Sequence, residues 1–122
     1  MESLEINQKP FWYFLYDRTV PLIEDGEVTG EKIVKYKSGK ETEATISPAT
    51  GNSYVEIFGK SIQYDRVILI NGIDSPITET TVLCVDKSPE YDIYGNPLYD
   101  YVVKRVAKSL NTTAIAIARV EL

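Results

Sequence analysis

The groups in this chain best suited to chemistry are carboxylates, in two tight sets: Glu24, Asp25 and Glu27, and Glu41 with Glu43. Paired acids can run a hydrolysis when apolar surroundings hold one of them protonated. Both sets lie among polar residues, so the sequence offers no cause for a raised pKa, and two-acid catalysis is not expected. Histidine is absent, which removes the commonest general base and metal ligand. Ser-His-Asp and Cys-His arrangements go with it. A single cysteine, Cys84, without histidine excludes a structural zinc site within one chain. No Gly-x-Gly-x-x-Gly or Walker-type phosphate loop occurs. Asp86, Asp92 and Asn96 could offer oxygen ligands, but their spacing does not match a calcium loop, and a solvated loop is the plainer reading. The expectation is a protein with no catalytic residue, no cofactor and no metal.

The 122 residues suffice for one domain, and 43% hydrophobic with 25% charged is ordinary globular composition. Residues 1–9 read as a polar arm and 10–122 as a single domain. The formal net charge is −5, so tight binding of duplex DNA by an isolated copy is not expected, because DNA affinity comes mainly from neutralised phosphates. Positive residues cluster at Lys32, Lys35, Lys37 and Lys40, and at Lys104, Arg105 and Lys108, patterns that also describe solvated strand faces. Cys84 lies among Val82, Leu83 and Val85 and reads as a buried, inert thiol, in keeping with a reducing compartment. The N-terminus lacks the basic start and apolar run of a secretory signal. No stretch approaches the roughly 20 apolar residues of a membrane span.

The elements read as short strands between turns. Phe11 to Tyr16 is an aromatic run with both faces apolar, which fits burial on two sides or a share in an interface. Residues 17–31 are acidic and loop-like by composition, with Asp25-Gly26 as a hairpin turn. Ile33 to Lys37, Thr42 to Ser47, Tyr54 to Phe58, Arg66 to Ile70 and Thr80 to Val85 read as strands, with Pro48–Ser53 and 86–98 as loops. The continuous apolar run Arg66 to Ile70 suits a strand covered on both faces. For residues 100–108 the pattern supports helix and strand alike: Val102, Val103, Val106, Ala107 and Leu110 fall at helical spacing, while the β-branched content favours a strand. Ala114 to Val120 alternates with period two. Such a series argues for a small barrel or sandwich.

Several phrases, in order, carry a resemblance. They are Phe11-Trp12-Tyr13, Thr29-Gly30-Glu31, Thr45-Ile46-Ser47, Phe58-Gly59-Lys60, Tyr64-Asp65-Arg66-Val67 and Pro76-Ile77-Thr78-Glu79. They continue with Val82-Leu83-Cys84-Val85-Asp86, Tyr99-Asp100-Tyr101-Val102-Val103-Lys104, Val106-Ala107-Lys108-Ser109-Leu110-Asn111 and Ile115-Ala116-Ile117. Over about residues 8–120 the chain resembles the head-closure (stopper) proteins of siphophages and near relatives described as head–tail connector or head-completion proteins. Ser38-Gly39, where continuous extended chain is expected, and Cys84, where an aromatic often stands, depart from the pattern.

The resemblance implies an all-β fold: a small closed or partly open antiparallel β-barrel with long loops and a C-terminal hairpin. It implies a virion structural protein of the neck, made in the host bacterial cytoplasm and without turnover chemistry. The subunit would form a homo-oligomeric ring below the portal and adaptor. It would close the DNA channel after packaging and dock a tail-terminator or tail-completion protein below. Duplex DNA would pass through the lumen without tight binding, and no membrane is involved. Channel-loop candidates are Pro48, Ala49, Thr50, Gly51, Asn52 and Ser53, with Asp17–Glu31 as second choice. Candidates for subunit contacts are Phe11, Trp12, Tyr13, Tyr16, Tyr91, Tyr94, Tyr99 and Tyr101, which could equally be core and loop anchors. Rival readings are another neck ring component, such as an adaptor or tail terminator, and an oligonucleotide-binding barrel in which first-strand aromatics stack on bases beside the Lys32–Lys40 cluster.

Overall fold

Alternation along the strands decides which side chains face inward, and here it closes a barrel. The computed structural model describes residues 8–48, 58 and 63–120. The strands are β1 (Gln8–Phe14), β2 (Tyr16–Glu24), β3 (Glu27–Tyr36), β4 (Lys40–Pro48), β5 (Arg66–Asn71), β6 (Val82–Cys84), β7 (Tyr101–Lys108) and β8 (Thr112–Arg119). Six of them form a closed antiparallel barrel in the order β1-β4-β5-β8-β7-β6, and β2 with β3 makes a separate two-stranded ribbon. The barrel closes where β1 meets β6, through the pairs Trp12↔Cys84, Tyr13↔Leu83 and Phe14↔Val82.

Inside lie Phe11, Ala44, Ile68, Leu83, Tyr101, Val103, Ile115 and Ile117, with Ile77 packed among them. Ile77 belongs to the Pro76-Ile77-Thr78-Glu79 phrase, which forms a turn held by Thr78 N–H to Thr81 Oγ1 at 3.0 Å and by Thr81 N–H to the Thr78 carbonyl at 3.1 Å. On β8 the isoleucines point inward while Ala114 and Ala116 point outward, where their small size lets Phe58 and Val67 pack over them. Val67 and Ile68 on β5 are both fully buried, one on each face. The segment left between helix and strand is strand from Tyr101 to Lys108: Val103 pairs with Ile117 and Lys108 with Thr113, and a bulge between Val103 and Arg105 absorbs one residue.

A second apolar cluster covers the outside of the barrel seam. Phe14, Val82 and Cys84 pack there with Trp12, Tyr36, Tyr99 and Val102. This explains the two apolar faces of the first strand: Phe11 and Tyr13 serve the interior, Trp12 and Phe14 the outer cluster.

Three expectations are corrected. Residues 17–31 are mostly strand, not loop, because a ribbon that is exposed at nearly every position, with Leu22 its one buried residue, lacks the apolar alternation by which strands are recognised. Gln8 and Lys9 are not part of a polar arm but pair with Thr45 and Ala44 on β4; the rest of that arm lies outside the described residues. The strand expected at Thr80 to Val85 is the shorter β6, since Thr81 is committed to the preceding turn. The Asp25-Gly26 turn forms as expected, with φ of 52° and 80°, the left-handed pair that joins two twisted strands in register. The strand expected at Tyr54 to Phe58 lies outside the described residues except for Phe58, which is buried.

Ser38-Gly39 falls in the break between β3 and β4. A Cβ on Gly39 would meet the Phe14 ring, with Cζ at 2.7 Å and Cε2 closer still. Phe14 is only 1% exposed and has little room to retreat. Gly39→Ala is expected to destabilise the fold by about 1–3 kcal/mol, the usual range for overpacking. Phe14→Leu added to it should cost less than the two single changes summed. Urea melts of the three variants measure this, and strict additivity would refute the contact.

Candidate functional site

A closed barrel pairs most of its strand edges, so surfaces for interaction are sought first in what it carries outside. Two elements stand out: the β2–β3 ribbon, an arm leaving the seam, and the loop from Asp86 to Asp100. At the arm tip Glu24 lies directly opposite Glu27, with Asp25 in the turn between them. Just behind, Ile23 and Val28 pair across the ribbon and are 59% and 66% exposed. Thr29 pins the irregular stretch between this pair and Pro21↔Lys32: its Oγ1 donates to the Leu22 carbonyl and accepts the Glu31 N–H, both at 3.2 Å.

The arm is fastened at its base. Lys35 Nζ donates to the Tyr94 carbonyl at 2.7 Å, Asn96 Nδ2 donates to the Val34 carbonyl at 2.9 Å, and the Tyr36 and Tyr99 rings meet edge-on at 6.2 Å. Burial and the neighbouring Tyr99 push the Tyr36 phenol up to about 12. The loop is shaped by Asp92, whose Oδ1 accepts the N–H groups of Tyr94 and Asn96 at 2.9 and 3.0 Å, and by a bridge between Tyr91 and Pro97. Short polar side chains commonly nucleate turns in this way. Between arm base and loop runs a groove of about 630 Å³, with Val34, Tyr94 and Leu98 among its walls and Lys32 and Lys87 contributing charge.

At the other side of this loop the strand ends are latched by charge. Asp86 accepts from Arg66 Nη1 and Arg119 Nη1, both at 3.0 Å, and from the Tyr101 hydroxyl at 3.2 Å. Both guanidinium groups lie over the Tyr101 ring, 5.5 and 5.7 Å from its centre. Asp100 caps the turn by accepting the N–H groups of Val85 and Asp86, each at 2.9 Å, and Asp65 accepts the Arg119 N–H at 2.6 Å. Burial alone would raise the Asp86 carboxyl, but Arg66 and the three hydrogen-bond donors outweigh it and hold it below the ordinary carboxylate value. Burial raises Tyr101, against the pull of Arg119 and Arg66. The cluster ties β5, β7 and β8 to the β6 exit. Its geometry is that of a latch: every charged group faces a partner and no nucleophile stands beside a base.

The residues singled out from sequence separate cleanly. Phe11 and Tyr101, 0% and 3% exposed, are core residues, the second of the two readings open for them, because both point into the barrel. Trp12, Tyr13 and Tyr99 are half-buried supports. Tyr16, Tyr91 and Tyr94 are exposed at 41%, 56% and 40% and stay available for contact. Pro48 is the exposed last residue of β4, while Ala49, Thr50, Gly51, Asn52 and Ser53 lie outside the described residues. Ile23, Val28, Ile93 and Leu98, all exposed, were missed. The signal for the first two was present: an isoleucine and a valine symmetrically flank a Glu-Asp-Gly-Glu turn. The latch of Arg66, Asp86 and Arg119 had none, since its members come from three distant segments.

Two outcomes are expected. Asp86→Asn should lower stability at pH 7 by about 1 kcal/mol, modest because the pair is partly solvated. Because the folded carboxyl is held low, that contribution is present above the unfolded value near about 4 and fades as pH falls through the folded value. Urea melts at pH 7 and pH 2.5 check this, and an equal gap at both would count against the latch. For Tyr36, folded stability is complete below the ordinary phenol value of about 10 and is lost as pH rises through the folded value. Ultraviolet titration should show one fewer late-ionising phenol in Tyr36→Phe than in the wild type, the raised Tyr101 being common to both.

Comparison with protein-family models, with curated proteins and with solved structures finds no match to this chain.

Proposed function

We propose that this chain is a ring-forming structural subunit of a tailed bacteriophage neck, a head-closure (stopper) or head–tail connector protein. The observation that carries the reading is a closed barrel bearing a separate two-stranded arm. Two-stranded ribbons are marginal in water on their own, so an arm with Ile23 and Val28 exposed is best accounted for by a neighbour that covers it. The ordered series of phrases from Phe11 to Ile117 supports the same family.

In this reading the barrel is the ring body. The arm and the exposed Tyr16, Tyr91 and Tyr94 supply contacts between subunits or to the adaptor above and the tail protein below. The Pro48–Ser53 segment is the channel-closing element. The net charge of −5 per subunit, repeated round a ring, gives a lumen that repels DNA and lets it slide. The oligonucleotide-binding alternative loses support, because the first-strand aromatics it needs are buried at Phe11 and half-buried at Trp12 and Tyr13.

The gene should lie between the major capsid and tail genes of a viral genome. Its deletion should yield heads that lose their DNA alongside unattached tails, visible by negative-stain microscopy. Infectious tailed particles from the deletion would overturn the proposal.

A further inference from the structure

We propose that the arm tip of one copy docks into the groove at the arm base of a second copy, forming a head-to-tail contact. This deepens the ring reading by naming the contact that would join its subunits.

The tip and the groove are complementary in charge and in apolar surface. The tip offers Glu24, Asp25 and Glu27 with Ile23 and Val28 directly behind. The groove offers Lys32 and Lys87 beside Val34, Tyr94 and Leu98. Asp92 also lines it, but its Oδ1 is engaged by the Tyr94 and Asn96 N–H groups of its own loop. A second observation points the same way. Glu24 and Glu27 are directly opposed across the hairpin, a like-charge pair that is unfavourable in an isolated ribbon. Two ammonium groups placed against them would reverse that cost.

The tip that fills the groove comes from another copy. Val34, in the groove, pairs with Thr19, and six further residues of extended chain, roughly 20 Å at the strand rise, separate that level from the turn at Asp25. The arm cannot bring its own tip back to its own base. Because tip and groove are different surfaces of one subunit, the contact is heterologous, and its repetition produces a ring or an open chain of subunits.

The test uses the full chain, with sedimentation measured at low and high salt. Two charge reversals are compared: Glu24→Lys with Glu27→Lys at the tip, and Lys32→Glu with Lys87→Glu in the groove. Circular dichroism establishes that each double variant keeps its strands. The wild type should self-associate, more weakly as salt rises. Each reversal should weaken association at least about tenfold, and mixing the two variants should restore it. A wild type monomeric at low salt up to about 1 mM, association that survives both reversals, or a mixture that does not regain it would each overturn arm docking. None of these outcomes touches the gene position or the deletion phenotype, so the two proposals fail separately.

Discussion

The closing of β1 onto β6 is the constraint on which the rest depends. Only three residue pairs make the seam, from Trp12↔Cys84 to Phe14↔Val82. So short a strand contributes few ladder hydrogen bonds, and packing on both sides must hold it. Leu83 points inward to the barrel core, while Val82 and Cys84 join Phe14 in the outer cluster. Val82, Leu83 and Cys84 are all buried, and burial raises the Cys84 thiol further from its reactive form, with Asp100 adding to the effect and Lys87 opposing it. The cysteine is best understood as a small apolar residue filling the seam.

Closure has a consequence for function. Where barrel strands are paired on both sides they offer nothing to strand addition, the common route by which sheets associate. Interaction is thereby transferred to appended elements, and the same outer cluster that seals the seam also anchors them. Tyr36 from the arm and Tyr99 from the end of the loop both pack on it, and Phe14 meets Tyr91 edge-on at 6.3 Å. The arm is thus fastened at its base and exposes Ile23 and Val28 beside its turn, a distribution suited to reaching a neighbour.

The barrel strands were legible where one or both faces are apolar. Ile115 and Ile117 alternate with alanines, and Val67 and Ile68 are adjacent and both buried, so periodicity and continuous apolar runs each marked a real strand. The arm was illegible because Asp17, Glu27 and Glu31 lie on a mostly exposed ribbon in which only Leu22 is buried, and composition there is that of a loop. Its turn was still readable, because left-handed φ at two successive positions restricts Asp25 and Gly26 directly. Among the contact candidates, Tyr16, Tyr91 and Tyr94 were separable from Phe11 and Tyr101 only once the strands had directions.

By itself the chain determined the β character of its apolar strands, the Asp25-Gly26 turn and the absence of histidine chemistry, since each follows from residue type and neighbours a few positions away; β2, β3 and the strand at Tyr101–Lys108 needed their pairing partners. Tertiary structure alone decided that β6 meets β1, that Arg66 and Arg119 converge on Asp86, and that Gly39 leaves space for the Phe14 ring. Those pairings span long separations along the chain, where the local pattern carries no register. Distance in space is set only when the barrel closes.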